Sequence, residues 1–249
     1  MTRAERIAGW LQNQAATAGA RGFVVGLSGG VDSAVVARLC QLAAPQHALG
    51  VLLPCYSHAD DEAHARQVAA AFSLPIVRVD LDSTFDALTA ALADAVRALR
   101  PQPGGIDIRQ QLPDANIKPR LRMTALYFIA NSLNYLVAGT GNRSEICLGY
   151  YTKYGDGGVD LLPIGGLLKS QVRALAAELG VPQAVIDRPP SAGLWMGQTD
   201  EAEMGFTYEV LERYLRDGPA AVEPLTAARI EQLRRVSDHK RSLPPVGPV

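Results

Sequence analysis

Residues 22–33 read Gly22-Phe23-Val24-Val25-Gly26-Leu27-Ser28-Gly29-Gly30-Val31-Asp32-Ser33. The first six form a short apolar run that ends in polar and glycine residues, the pattern of a buried strand. From Asp32 the period changes, and Val35, Val36, Leu39 and Leu42 recur at the spacing of one helix face. A strand, a glycine turn and a helix over 32–44 thus follow one another directly. Working outward, Ala48–Leu53 and Ile76–Asp80 repeat the strand signal, and helical patterns cover 60–72 and 84–99. The alternation βαβαβα predicts a parallel, doubly wound sheet flanked by helices.

Residues 2–18 pattern as an amphipathic helix, with Ile7, Trp10 and Leu11 on one side. Beyond Leu99, residues 100–115 are rich in Pro, Gly and Gln, 116–134 read as a long helix, and 135–139 as a fourth strand. A glycine-rich polar stretch spans 141–158, a helix 169–179 and an irregular segment 187–200, before helices near 207–216 and 226–237. One domain over 1–249 with C-terminal helices is expected, with 100–115 and 187–200 as mobile lids.

Composition narrows the partners. The 249 residues are 48% hydrophobic and carry a net charge of -1, which leaves no basic footprint for duplex nucleic acid. Three cysteines, Cys40, Cys55 and Cys147, are odd in number and widely spaced, as befits reduced thiols of a cytoplasmic protein. No signal-peptide core opens the chain, and no stretch reads as a membrane span.

The hexad Ser28–Ser33 is an anion site by its chemistry. Two glycines allow backbone N–H groups to approach a ligand closely, and a helix N-terminus supplies free donors and partial positive charge. The hydroxyls of Ser28 and Ser33 add two more donors. Asp32 repels phosphate, so its place in the first helical turn calls for a divalent cation between them. An ordinary strand–helix turn with a capping residue is the plainer alternative, but the whole hexad at the first strand–helix junction favours nucleotide phosphate. Neither GxxxxGK[ST] nor GxGxxG occurs, so hydride transfer is disfavoured.

Three further blocks carry polar chemistry. Asn116-Ile117-Lys118-Pro119-Arg120-Leu121-Arg122-Met123 places three cations in five residues, a pattern a solvated helix end also gives. Gly139-Thr140-Gly141-Asn142-Arg143-Ser144-Glu145 sits at the carboxyl end of strand four, where open α/β sheets bind ligands. Thr140 offers a hydroxyl there and Glu145 a second metal carboxylate, or merely a charge at a helix N-terminus. Tyr151-Thr152-Lys153-Tyr154-Gly155-Asp156-Gly157-Gly158-Val159-Asp160 suits close backbone contact with a polar ligand, or a plain turn.

The hexad resembles the signature of the ATP pyrophosphatases, an adenine-nucleotide α-hydrolase-like fold. The later blocks, with Lys169, Arg188–Glu201 (RPPSAGLWMGQTDE) and Asp238-His239-Lys240-Arg241, resemble the NAD synthetases from about residue 20 to about 241. The resemblance implies ATP-dependent amidation of deamido-NAD through an acyl-adenylate, with release of AMP and pyrophosphate. It implies ATP contacts at Gly26, Leu27, Ser28, Gly29, Gly30, Val31, Asp32, Ser33, Thr140, Lys169 and Ser191. It implies deamido-NAD contacts at Arg120, Lys153, Asp160, His239 and Lys240, and Mg2+ ligands at Asp32 and Glu145. No covalent nucleophile is implied, and no Ser/His/Asp or Cys/His set is evident.

A homodimer is expected from the resemblance and from the apolar residues Leu121, Ala125, Phe128, Ile129 and Leu133. Ammonia is the expected nitrogen donor, since no cysteine has an evident base partner and too little chain precedes the first strand for a glutaminase domain. One departure bears on this. Many ammonia-dependent members carry Asp-His where this chain has Gly141-Asn142, a variant that also resembles glutamine-using forms and leaves a glutaminase in trans open. The competing expectations are a relative amidating another acceptor, such as a GMP synthetase, and a non-catalytic nucleotide-binding regulator on the same fold.

Overall fold

The computed structural model describes residues 1–99, 111–191 and 199–248. Helix α1 (Arg3–Ala18) leads to strand β1 (Gly22–Gly26), helix α2 (Val31–Ala43), strand β2 (Ala48–Leu52), helix α3 (Ala59–Phe72) and strand β3 (Ile76–Arg78). Helices α4 (Asp82–Leu99) and α5 (Gln111–Leu133) precede strand β4 (Tyr135–Val137). The rest is helical: α6 (Arg143–Leu148), α7 (Lys169–Glu178), α8 (Gln183–Ile186), α9 (Asp200–Met204), α10 (Tyr208–Asp217) and α11 (Pro224–Val236).

All strand pairings are parallel, in the order β3-β2-β1-β4. Successive residues of β1 point to opposite faces, as the pleat demands. Phe23 and Val25 pack with Leu11, Leu39 and Leu175 of α1, α2 and α7, while Val24 packs with Ala130 of α5 and against Phe85 of α4. Both faces are covered, which is why the strand is apolar throughout. A third apolar cluster joins Leu148 to α9, α10 and α11.

The strands end one or two residues before the expected positions, although Leu27 and Ala138 still donate their N–H groups to the Val51 and Val24 carbonyls of the neighbouring strands at 2.9 Å. The free side of β4 is closed by Asp160 and Leu161. Asp160 Oδ2 accepts from the Val137 N–H at 2.8 Å, and the Gly139 N–H donates to the Leu161 carbonyl at 2.8 Å. Of the two expected irregular segments, 100–110 and 192–198 lie outside the described residues. Residues 111–115, however, are the first turn of α5, and Asp200 opens α9. Pro113 lies within α5, as does Pro119, and neither stops the helix. Short helices α6, α8 and α9 were beyond a periodicity argument.

Among the described residues, no helix is long and apolar enough to cross a membrane. Cys40 and Cys55 are buried and all three cysteines are free thiols.

Candidate functional site

The order of strand addition reverses at β1: β2 and β3 add on one side, whereas β4 adds on the other. Ligands of open α/β sheets bind at such a switch point, outside the carboxyl ends of the strands. A cavity of about 970 Å³ opens there, at the upper end of the size usual for small-molecule sites, about 300–1,000 Å³.

The loop Leu27–Gly30 enters the cavity from β1. Gly29 has φ +77°, and a Cβ there would lie 2.3 Å from the Asp61 carbonyl oxygen, so only glycine fits. The Ser33 hydroxyl donates to the Gly30 carbonyl at 2.9 Å and lies 3.1 Å from the Ser28 hydroxyl. Gly30 caps α2 without a side-chain bond, leaving first-turn N–H groups for an anion. Arg188 reaches across to pair with Asp61, tying the segment before residue 192 to the back of this loop.

Facing the loop is a buried ionic knot. Lys169 Nζ donates to Asp32 Oδ2 and, at 3.2 Å, to Glu145 Oε1, with side-chain exposures of 5% for Lys169, 16% for Asp32 and 18% for Glu145. Burial pulls the Lys169 ammonium down, but the Asp32 and Glu145 carboxylates outweigh it and hold it above its ordinary value. Burial pushes the Glu145 carboxyl up; Lys169 opposes this and Asp32 adds to it. The ammonium also lies 5.3 Å from the centre of the Tyr208 ring. Tyr208 donates to Asp200 Oδ2 at 2.8 Å, and Asp200 Oδ1 is buried without a hydrogen-bond partner among the described residues.

The other oxygen of each carboxylate goes to Asn142, which is fully buried. Its amide Nδ2 donates to Asp32 Oδ1 at 3.0 Å. Its backbone N–H donates to Glu145 Oε2 at 3.2 Å, and its Oδ1 accepts from the Glu145 N–H at 3.1 Å. The last two bonds are a capping box at the start of α6.

This arrangement tests the metal expectation. Two carboxylate oxygens, one from each chain segment, already converge on one cation, the Lys169 ammonium. Among the described residues no set of three or more His, Cys, Asp or Glu could hold a metal. Mg2+ asks for no more, since it is usually bound by one or two carboxylates with phosphate and water completing the shell. The residues fit.

Every residue expected to contact ATP lines the cavity except Gly29, whose Cα side is packed on Asp61. The dinucleotide set divides differently. Only Lys240 lines the cavity, its Nζ donating to the Gly149 and Tyr151 carbonyls at 2.7 and 2.6 Å. Arg120, Lys153 and His239 form a chain along the neighbouring surface. Arg120 donates to the Lys153 carbonyl at 3.4 Å, and Lys153 Nζ to the His239 carbonyl at 2.5 Å. Asp160 has both oxygens engaged, by the Val137 N–H and by the Tyr127 hydroxyl at 2.9 Å, which gives it a structural task at the edge of β4.

Sequence reasoning missed two groups, Arg122 in the cavity wall and Asn142 buried behind its carboxylates. Arg122 donates from Nε to the Leu53 carbonyl at 3.0 Å and from Nη2 to the Ser57 hydroxyl at 3.1 Å, with no carboxylate pairing it among the described residues. Burial draws its guanidinium below the ordinary value. Asp156 and Asp61 act on it only at longer range, and a cleft guanidinium with no direct ion pair among the described residues suits an anionic ligand. Two residues apart on a helix, Arg120 and Arg122 face different ways, but which of them faces in was unreadable without the fold. Asn142 was read only as a departure from a family pattern; a signal was present in the Asn-x-x-Glu spacing, a capping-box variant.

A family model described as NAD synthase matches residues 3–244. An NH3-dependent NAD+ synthetase of Carboxydothermus hydrogenoformans is 48% identical over 244 residues, covering 98% of this chain and 96% of that protein. Among solved structures, the NMN synthetase of Francisella tularensis superposes with a TM-score of 0.89 at 33% identity, over 98% of this chain and 97% of that one. The NAD+ synthetase of Burkholderia pseudomallei gives 0.76 at 34% identity, over 97% and 90%.

Proposed function

The chain belongs to the NAD synthase family, and on that premise we propose that it converts deamido-NAD to NAD with ATP and ammonia, releasing AMP and pyrophosphate. The observation that carries this reading is the meeting, in one cavity, of the Ser28–Ser33 loop with the Asp32, Glu145 and Lys169 knot.

A carboxylate is a poor electrophile at neutral pH, so the nicotinate carboxylate must be activated. It attacks the α-phosphorus of ATP, pyrophosphate leaves, and an acyl-adenylate forms. Ammonia then adds to the acyl carbon and AMP departs. The N–H groups at the start of α2 and the hydroxyls of Ser28 and Ser33 hold the leaving pyrophosphate. Asp32 and Glu145 would hold Mg2+, whose charge offsets that developing on the phosphate oxygens. Lys169, freed from the carboxylates, turns to the phosphates as a point charge. Arg122 holds an anionic group of ATP or of the acceptor against the β2 side of the cavity. No protein nucleophile takes part; the chain contributes position and charge.

Arg120, Lys153, His239 and Lys240 are the proposed acceptor contacts, with Asp160 behind them. Their place on the surface beside the cavity gives a specific second reading. On this reading the mononucleotide end of the acceptor would occupy the cavity, and only the further half of a dinucleotide would need the exposed rim. The likeness to an NMN synthetase favours testing nicotinic acid mononucleotide as acceptor beside deamido-NAD. Incubation with ATP, Mg2+, ammonium and each acceptor in turn, with chromatography of the products, decides it. NAD formed from the dinucleotide at the higher kcat/KM supports the first reading, and preference for the mononucleotide replaces it.

A homodimer and a cytoplasmic setting complete the proposal. Leu121, Ala125 and Ile129 are partly buried against the core, so they offer a partner copy less surface than their sequence pattern alone suggests. Phe128, 74% exposed, Leu133 and the α4 stripe Leu88, Leu92 and Val96 present open apolar surface to a partner copy. A glutaminase in trans stays the alternative nitrogen source.

A further inference from the structure

We propose that Asn142 is a positioning residue that aims Asp32 and Glu145 at one divalent cation, an inference that rests on reading those two carboxylates as the metal ligands. Asp32 and Glu145 come from chain segments more than a hundred residues apart, as the 110-residue separation of the Asn142–Asp32 bond indicates. A carboxylate pair can share a cation only if both are rotated to present one oxygen to the same point. Asn142 does this for both at once. It takes Asp32 Oδ1 through its side-chain amide and Glu145 Oε2 through its backbone N–H. Asp32 Oδ2 and Glu145 Oε1 are left, and both point at the place Lys169 Nζ now fills.

Three details separate this from ordinary helix capping. A capping residue needs only an acceptor, yet Asn142 spends its donor on a carboxylate in another element. The donor is neutral, so it fixes Asp32 without competing with a metal for its charge, as a lysine or arginine would. Asn142 is also wholly buried, where a cap that served only the short helix α6 would be free to face solvent. Partners that orient metal-binding carboxylates are worth about 10–100-fold in metal affinity or activity when removed.

The test uses the full chain and Mn2+ as probe, with binding followed by electron paramagnetic resonance and by calorimetry, in the presence of pyrophosphate to complete the shell. Asn142→Ser keeps a side-chain acceptor for the Glu145 N–H but is too short to reach Asp32. Asn142→Asp keeps size and cap but sets a carboxylate against Asp32. Asn142→Ser is expected to unfold within a few degrees of the wild type and Asn142→Asp at a lower temperature, and both are expected to weaken Mn2+ binding about tenfold or more and to raise the Mg2+ concentration for half-maximal turnover. Variants that bind Mn2+ within twofold of the wild type, with only Tm lowered, would leave Asn142 a helix cap and overturn the proposal. A wild-type protein that takes up no Mn2+ would instead remove the metal reading of Asp32 and Glu145 itself.

Discussion

Lys169→Met is the perturbation that the ionic knot makes most informative. Methionine has nearly the length of lysine and can still lie against Tyr208, so packing changes little while one charge is lost. Removing one partner of a buried ion pair costs about 3–5 kcal/mol, because the remaining charge is left without compensation. Two features put this site at the lower end. Asp32 and Glu145 keep exposures of 16% and 18%, and Glu145, already pushed up by burial and by Asp32, can relieve the repulsion by taking a proton. About 3 kcal/mol at about 2–4 °C per kcal/mol lowers Tm by about 6–12 °C in metal-free buffer. Mg2+ at a hundredfold excess over its Kd returns about 2.7 kcal/mol, nearly the whole loss. In the wild type the metal must first displace the ammonium, so its stabilisation by Mg2+ is smaller. The assay is thermal unfolding of both proteins in chelator and in Mg2+. A variant that melts within 2 °C of the wild type in chelator, or gains no more from Mg2+, refutes the view that Lys169 and the metal share one place.

Asp32→Asn and Glu145→Gln are each expected to lower turnover about a hundredfold or more with the fold intact by circular dichroism; near-normal rates at saturating Mg2+ would contradict a metal-holding role. Arg122→Met removes a charge-assisted contact worth about 1.5–3 kcal/mol, so kcat/KM should drop roughly 10- to 150-fold, and a change under twofold would show that no anionic group meets Arg122. Arg120→Ala, on the exposed rim, should raise KM for the dinucleotide and leave kcat alone; an unchanged KM takes Arg120 out of the acceptor site. Neutral ammonia carries the reacting lone pair, so at fixed total ammonium the rate should climb with pH until another group limits it. Glutamine offered to the pure protein should support no turnover, and turnover with glutamine would assign the chain a glutaminase activity of its own.

How far the sequence reached can be traced residue by residue. The βαβ alternation was legible because Phe23, Val24 and Val25 are buried on both faces of a parallel sheet, and that environment writes itself as an unbroken apolar run. The Ser28–Ser33 loop was legible because Gly29 has no substitute at its φ and its distance from Asp61. The helical state of residues 111–115 was not, since Pro113 and the glycines ahead of it imitate a loop in sequence. Leu121, Ala125, Phe128, Ile129 and Leu133 looked like one stripe, but packing divides them between core and surface. Residue type could place Arg120 and Arg122 in the same motif and could not say which one the cavity would bury. Asn142 and Lys169 acquire their roles only by meeting Asp32, and no local pattern encodes a meeting across that much chain.

That distance has a consequence for how the molecule assembles. β1 pairs with β2 after a short excursion, but it pairs with β4 only after α4 and α5 have been laid down. Closing the longer excursion carries an entropic cost that must be met before its contacts contribute, so pairings of this kind tend to come late. Asp32 stands on the early side of that closure, and Asn142, Glu145 and Lys169 on the late side. An assembly intermediate holding β1, β2 and β3 would own the glycine loop yet lack half of the cation's cage. Recovery of catalytic competence during refolding should therefore trail recovery of helical signal, and Mg2+ with ATP, by gripping both sides of the seam, should favour the joined form over the open one.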